Sequence, residues 1–407
     1  MIRRDWGRFT ARGGDLIEKE LTAIVSQAAE TVIQTVPADR YRALVLIGGY
    51  GRGEGGVQVV EGIERPHNNL DFLLLTNNLP SRELGTIKAN IDKALAPLSE
   101  AHQLGFDFSL INISKLRRSP CLVMWYDMRF GHKTLAGDAD FVPSLESFRE
   151  DCILASDVRN LLVNRGTLFV INDALLERGD LNEQDRKILV KHAVKGIIGY
   201  GDALLFFLGG YHWSYVEKQR RMRSQANVPE HFKTLYDRAM EFRFRPDYAS
   251  FPGEEVTHWL DSIRPQLADI HLRCESLRLH HELTWPAYPP YAFRQILLDN
   301  PTSLRGWAKK TLHSLRTSFV PSGLPLLSRL GFRCGGMTNA LPILFPVAAY
   351  NIPDIPFRTL AQHVLKAPNR EWSELRRAYL KQWSIYGDIN FPSVLRKLRL
   401  HLDGSSG

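Results

Sequence analysis

The spacing of apolar residues predicts two halves with different architectures. In the first half, short apolar runs typical of buried strands alternate with stretches of helical periodicity. The predicted helices cover 15–35 and 81–100, with Ser81 as an N-cap, and the predicted strands cover 43–47, 70–75 and 106–113, followed by a helix and a short edge strand over 122–137. This order predicts an N-terminal α/β domain with a short mixed sheet.

From about residue 151 the strand pattern ends and helical spacing dominates. The predicted helices cover 151–178, 183–209, 229–245, 253–283, 300–317 and 371–383. The fold class predicted for the chain is therefore α+β, with three domains over 1–145, 146–300 and 301–407. The last range contains a basic amphipathic segment, 305–316, for which an ordinary surface helix and a helix that binds membrane or nucleic acid both stay open.

Composition narrows the class of protein only in part. A chain of 407 residues, 44% hydrophobic and 24% charged, can bury its own core without disulfides or structural metals. Its four cysteines form no CxxC pair, so we expect free thiols and no zinc site. The N-terminus lacks a secretory signal, and no stretch reaches the ~20 apolar residues that span a bilayer, which predicts a cytoplasmic protein and disfavours membrane contact. The net charge of +8 fits an anionic partner, whether nucleotide, nucleic acid or membrane surface.

The first chemical signal is a glycine-rich loop directly after the strand at 43–47. Gly48-Gly49 lead into Tyr50-Gly51-Arg52-Gly53-Glu54. Because glycine carries no side chain, the N–H groups of such a loop can come close to a phosphate. On its own this loop is a weak signal for nucleotide binding.

Acidic residues on the next two strands add a second signal. Asn69 and Asp71 stand at i and i+2, and therefore on one face of a strand. An Asp-x-Asp pair in that position aims two carboxylates at one ion, and Mg²⁺ binds through few carboxylate oxygens. Asp107 is a lone charge between Phe106 and Phe108, where a buried carboxylate needs a partner or a metal.

The three elements together resemble the active-site motif of the polymerase-β-type nucleotidyltransferase superfamily, which includes aminoglycoside nucleotidyltransferases and small antitoxin-type enzymes. The shared pattern is Gly-Gly-x-x-Arg-Gly-Glu, then Asx-Leu-Asp-hydrophobic, then hydrophobic-Asp-hydrophobic, and it covers about residues 40–140. The resemblance implies that Asp71 binds Mg²⁺ or Mn²⁺, that Asp107 is the third carboxylate and the base for the acceptor hydroxyl, and that Asn69 occupies the first metal-binding position. The nucleotide-binding residues that it implies here are Gly48, Gly49, Tyr50, Arg52 and Glu54.

The sequence departs from the family pattern in two places. The interval from Gly49 to position 69 is longer than in the family, which predicts an inserted hairpin or loop over 56–67. Asn69 replaces the first Asp, and the loss of that charge should weaken metal binding and transition-state organisation by on the order of a few kcal/mol. Three explanations stay open: an engineered change, which an expression scar at 404–407 would accompany; a natural protein that binds nucleotide without turnover; and an enzyme that works with Asp71, Asp107 and Glu54 alone.

The second half offers a further set of candidates. Lys191, Lys195 and Asp202 stand at i, i+4 and i+11 and share one face of a largely apolar helix. In bacterial relatives the helical domain packs across the nucleotide cleft, so the resemblance implies that 146–300 closes the cleft and that a lysine reaches the phosphates. The residues implied for this half are Lys191, Lys195, Asp202, Tyr211 and His212, with Tyr215 beside them. The alternative is a structural Lys195–Asp202 contact with His212 in the core.

These observations lead to two principal hypotheses. The first is a Mg²⁺-dependent transferase that moves a nucleoside monophosphate from an NTP to an acceptor hydroxyl on a small molecule, an RNA end or a protein. The second is a nucleotide-binding pseudoenzyme or regulatory partner that has lost turnover at Asn69. A third hypothesis uses the basic C-terminal third to bind a membrane surface or nucleic acid. The structural alternative is that Asp71 and Asp107 pair with Arg52 or a lysine.

Overall fold

The chain divides into two compact units. The computed structural model describes residues 5–298, 323–388 and 390–400, with the single positions 312, 321 and 402. One unit contains Met1–Val158 and Leu208–Phe251, and the other contains Arg159–Phe207 and Pro252–Gly407. The structure confirms the mixed α+β class. The three predicted domain ranges stay a prediction, and the predicted helix 300–317, the segment 305–316 and residues 404–407 lie outside the described residues, apart from Leu312.

Helices make up most of the described chain. They are α1 (Asp15–Thr35), α2 (Gly48–Gly51), α3 (Ser81–His102), α4 (Ile113–Arg117), α5 (Val123–Phe130), α6 (Ala155–Arg178), α7 (Glu183–Phe207), α8 (Tyr215–Ser224), α9 (Glu230–Phe244), α10 (Val256–Leu279), α11 (Tyr288–Leu298), α12 (Leu326–Tyr350), α13 (Ile355–Leu365), α14 (Trp372–Tyr386) and α15 (Phe391–Lys397). The strands are β1 (Tyr41–Ile47), β2 (Val57–Val60), β3 (Ile63–Pro66), β4 (Leu70–Thr76), β5 (Phe106–Asn112) and β6 (Lys133–Gly137).

A four-stranded mixed sheet organises the first unit. Its order is β5-β4-β1-β6, with β4 antiparallel to β1, β5 parallel to β4, and β6 antiparallel to β1 at the other edge. The predicted strands and the edge strand near 137 are therefore confirmed. The predicted insertion over 56–67 is a separate hairpin, in which β2 pairs antiparallel with β3.

Helices α1 and α3 cover one face of this sheet. Apolar side chains of α1 recur at helical spacing and are buried: Ile17, Leu21, Ile24, Val25, Ala28 and Val32. They share a core with Leu70, Phe72 and Leu74 of β4 and with Phe108 of β5. Because side chains alternate along a strand, Asp71 and Asp107 belong to the opposite face of the sheet.

Two local predictions need correction. Ser81 is the first residue of α3, and Pro80 occupies the cap position without a side-chain hydrogen bond, so the predicted Ser81 cap is wrong. The carbonyl of Pro80 instead accepts the first helical bond, from Leu84 N at 3.0 Å. The beginning of the glycine-rich segment is a single helical turn, α2, rather than an open loop.

Every helix or strand that the structure describes in the second unit is a helix. The predicted helices near 151–178, 183–209, 253–283 and 371–383 correspond to α6, α7, α10 and α14. Helix α12 was not predicted and contains Pro342 and Pro346, with a non-helical break at Gly336. None of the described helices combines the length and the apolar character needed to cross a bilayer.

Candidate functional site

The two predicted carboxylates lie opposite each other on neighbouring strands. Asp71 of β4 is the register partner of Asp107 on the parallel strand β5, and on its other side Asp71 pairs with Ile47 at the end of β1. Adjacent strands are about 4.8 Å apart, so the two carboxylates start from neighbouring positions on one face. Asp71 is half-buried, whereas Asp107 is exposed. The expectation that flanking phenylalanines would bury Asp107 is wrong, because strand alternation turns it away from them.

Gly48 packs directly against the Asp71 carboxylate. Its φ is +70°, a conformation that side-chain-bearing residues rarely adopt, and a Cβ at this position would lie 2.2 Å from Asp71 Oδ2. The glycine therefore permits both the turn after β1 and the close approach of the carboxylate. This contact brings together the first two elements of the predicted motif.

Asn69 completes the group through a hydrogen bond. Its Nδ2 donates to Asp107 Oδ2 at 3.0 Å, and a Cβ on Gly105 would lie 2.5 Å from its Oδ1. Asn69 is exposed, like Asp107. Within the described chain no group of three or more His, Cys, Asp and Glu side chains could hold a metal ion, which agrees with two carboxylates and an amide at this place. An aspartate at position 69 would supply the third carboxylate.

Tyr50 fixes the shape of the glycine-rich segment. Its buried hydroxyl donates to Gly56 O at 2.8 Å and accepts from His67 N at 3.1 Å. Burial raises the pKa of Tyr50 to about 12, so the hydroxyl remains protonated and keeps both bonds at neutral pH. Tyr50 therefore joins the two ends of the β2–β3 hairpin.

Arg52 belongs to a buried ion pair beside the glycine loop. Its Nη2 lies 2.6 Å from Asp127 Oδ2, and Tyr211 donates its hydroxyl to the other oxygen of Asp127 at 3.1 Å. Lys218 Nζ in turn donates to the Tyr211 hydroxyl at 3.2 Å. Asp127 was not predicted as a site residue. Arg52 thus has a structural partner other than Asp71 or Asp107.

The Glu54 side chain binds the N-terminus of helix α8. Its carboxylate accepts hydrogen bonds from Ser214 Oγ, from Tyr215 N at 2.7 Å and from Val216 N at 3.4 Å. A carboxylate at a helix N-terminus satisfies N–H groups that lack helical partners. His212 Nδ1 accepts from Ser214 N at 3.1 Å, and burial lowers the pKa of His212. Both predicted residues therefore hold the segment that leads into α8.

Two residues near the glycine turn were missed by the sequence analysis or named only in passing. Arg243 of α9 places Nη2 3.0 Å from the position that a Cβ on Gly49 would occupy. Its guanidinium stacks on the Tyr215 ring, 3.9 Å from the centroid. For Tyr215 the sequence contains a usable signal. Ser214-x-x-Glu217 has the pattern of a capping box, which marks Tyr215 as the first residue of α8. Nothing in the local sequence marks Arg243.

The remaining candidates belong to the second unit. Lys191, Lys195 and Asp202 all lie on α7, which is part of that unit. Lys195 is exposed, Asp202 is buried, and Lys191 is half-buried, with a pKa lowered by burial. Their assignment to the phosphates stays a prediction.

The donor atoms of the first unit suit a hard divalent cation. Two carboxylates on adjacent strands are the oxygen ligands that Mg²⁺ and Mn²⁺ accept, and the Asn69 amide, whose Nδ2 faces Asp107 here, could add its oxygen by turning over. The set carries one charge fewer than three carboxylates would. No family model, no curated protein and no solved structure matches this chain. The functional assignment therefore depends on the residues and their geometry alone.

Proposed function

We propose that the chain is a nucleotidyltransferase, with a nucleotidyltransferase-type N-terminal domain, that moves a nucleoside monophosphate from an NTP to an acceptor hydroxyl and depends on Mg²⁺ or Mn²⁺. The observation that supports this most directly is the register of Asp71 with Asp107, together with Gly48 against the Asp71 carboxylate. These contacts join a glycine turn, able to approach phosphate, to a pair of carboxylates. We place the reaction in the cytoplasm, where NTPs are abundant.

The proposed reaction exchanges a phosphoanhydride bond of the NTP for a phosphoester bond to the acceptor. The acceptor oxygen attacks the α-phosphorus, the bond from that phosphorus to the bridging oxygen breaks, and pyrophosphate leaves. Asp107 is exposed and can accept the proton of the acceptor hydroxyl. Asp71, held against Gly48, would hold the cation with Asp107, and the Asn69 amide oxygen would join them only after the amide turns its Nδ2 away from Asp107. A bound divalent cation supplies charge neutralisation at the phosphates.

Asn69 favours a second candidate function, nucleotide binding without turnover. Its amide already donates to Asp107, which occupies one oxygen of the proposed base. A neutral ligand also stabilises a cation less than a carboxylate does. Such a protein would bind NTP with metal and release no pyrophosphate.

Pyrophosphate release from each of the four NTPs, with Mg²⁺ or Mn²⁺, tests the two functions. The acceptors would be small-molecule alcohols, RNA with a free 3′ hydroxyl, and the protein itself. We expect Asn69→Asp to raise the rate by about 100-fold, because an anionic ligand stabilises transition-state charge. Asp71→Asn should abolish the reaction, whereas Asp92→Asn, at an exposed carboxylate on α3, should leave it unchanged.

The outcomes separate the hypotheses. Pyrophosphate from the unmodified chain supports an active enzyme. Pyrophosphate from Asn69→Asp alone, with nucleotide bound by both proteins, supports the second function for the natural chain. Absence of release from either protein with every NTP and acceptor rejects transfer. Full activity of Asp71→Asn would reject the assigned site.

A further inference from the structure

Arg243 fills the space that two glycines of the loop leave open. A Cβ on Gly49 would lie 3.0 Å from Arg243 Nη2, and a Cβ on Gly56 would lie 2.5 Å from the backbone oxygen of Arg243. Both the side chain and the main chain of this residue thus contact the glycine-rich segment. The C-terminal end of α9 therefore packs against the glycine turn, where the phosphates of the proposed nucleotide would bind.

Three cations surround the Tyr215 ring, and their environments differ. Arg52 lies 4.5 Å from the ring centroid, Lys218 4.9 Å and Arg243 3.9 Å. Arg52 is bound to Asp127, and Lys218 is buried and bonded to the Tyr211 hydroxyl. Both are therefore part of the packed interior beside the loop.

Arg243 has the environment of a ligand-binding cation. Among the described residues no ion pair joins its guanidinium to a carboxylate, and its buried Nε has no hydrogen-bond partner. A guanidinium that is held without a carboxylate has unused donors for an anion. Arg243 lies beside Gly49 and Asp71 beside Gly48, so a cation and an anion both lie at the glycine turn.

Tyr215 gives this cation a fixed position. Its ring stacks on the guanidinium, and its backbone N–H is bound by Glu54 Oε2 at 2.7 Å. Stacking on an aromatic ring limits the rotamers of an arginine without using its donors. Glu54 of the loop therefore positions Tyr215, and Tyr215 positions Arg243 back against the loop.

We propose that Arg243 binds the β- and γ-phosphates of the nucleoside triphosphate beside Gly49, with Tyr215 as a positioning residue. The assignment rests on the proposed function, because it takes the nucleotide to bind at this turn. A planar guanidinium can donate two parallel hydrogen bonds to a phosphate. Because AMP lacks the β- and γ-phosphates, Arg243 would favour polyphosphate over monophosphate. The residue lies far along the chain from the glycine motif.

Calorimetric titration measures this selectivity directly. The full chain would be titrated with ATP, AMP and inorganic tripolyphosphate in the presence of Mg²⁺. We expect Arg243→Gln to weaken binding of ATP and tripolyphosphate about 10- to 100-fold and to change AMP binding less than about threefold. Arg245→Gln is the matched control, because Arg245 is exposed on the same segment and should have no effect. Tyr215→Leu should weaken ATP binding less than Arg243→Gln does.

The titration separates this inference from the proposed function. Arg243-dependent binding of tripolyphosphate without any pyrophosphate release keeps the anion site and rejects transfer. Equal ATP affinity of Arg243→Gln and the unmodified chain overturns the inference, even where transfer is observed. Absence of binding of both ATP and tripolyphosphate to the unmodified chain also overturns it. If Arg243→Gln does not fold, Arg243→Lys, which keeps the charge and loses the bidentate geometry, should weaken ATP binding about tenfold.

Discussion

Replacement of Asp127 by alanine should destabilise the first unit strongly. The side chains of Arg52 and Asp127 are only 7% and 10% exposed, and their closest atoms are 2.6 Å apart. Alanine would leave the Arg52 charge buried without its counter-ion and the Tyr211 hydroxyl without its acceptor. Breaking a buried pair at one partner costs about 3–5 kcal/mol. The exposed Lys88–Asp92 pair on α3 provides the comparison, because removal of Asp92 should cost about 0.3–0.5 kcal/mol.

Urea-dependent hydrogen exchange can measure the free energy of unfolding of this unit by itself. Amides of β1 and β4 are the appropriate probes, since both strands lie in the centre of the sheet. A double-mutant cycle with Arg52→Ala and Asp127→Ala adds a second constraint. The double variant should lose less stability than the two single losses added together, because the second substitution removes the stranded charge. A loss below about 1 kcal/mol for Asp127→Ala, or one no larger than for Asp92→Ala, would refute the reasoning.

Three further predictions concern other parts of the structure. Gly48→Ala should lower the free energy of unfolding by about 1–2 kcal/mol, because alanine is strained at this positive φ. It should also reduce pyrophosphate release, because the new Cβ displaces the Asp71 carboxylate. Unchanged release at a lowered Tm would contradict the second expectation. Tyr50→Phe should lower the free energy of unfolding by about 0.5–1.5 kcal/mol, because Gly56 O loses one of its two donors and keeps the His67 N–H, and urea unfolding checks it. Burial lowers the pKa of His271 to about 4, below the unfolded value of about 6.5. Stability should therefore fall as the pH drops from 6.5 towards 4, by about 2 kcal/mol at pH 5, and His271→Gln should reduce that slope in melting curves.

The sheet and its carboxylates could be predicted because their signals are local. Apolar runs bounded by polar residues gave β1, β4 and β5, and the i, i+2 spacing placed positions 69 and 71 on one face. The overlong interval after Gly49 correctly predicted an insertion, which is the β2–β3 hairpin. Each of these inferences needs only neighbouring residues.

The partners of the loop could not be predicted because they come from distant parts of the chain. Arg52 forms an ion pair with Asp127, and Glu54 accepts hydrogen bonds from the start of α8. Arg243 approaches Gly49. All three contacts form only when the chain folds. The sequence around Arg243 reads as an ordinary amphipathic helix. Only tertiary packing shows which of many surface arginines approaches the glycine turn.

Two proline residues explain the missed helix α12. Pro342 and Pro346 lie inside it, and proline is normally a sign that a helix ends. The surrounding residues, from Ala340 to Tyr350, are buried, so tertiary packing compensates for the lost backbone hydrogen bonds. The periodicity of the sequence does not reveal this packing, so it could not predict the helix.

The interrupted course of the first unit has a consequence for its biosynthesis. Its chain ends at Val158 and resumes at Leu208, so the ribosome must complete Phe251 before the unit is whole. At about 5–20 residues per second, the sheet waits on the order of 10 s for the segment that supplies Tyr215 and Arg243. During that interval Glu54 lacks the N–H donors of α8, and Asp127 lacks the hydrogen bond from the Tyr211 hydroxyl. The nascent sheet is therefore a species that chaperones would be expected to protect, and a fragment ending at Val158 should aggregate.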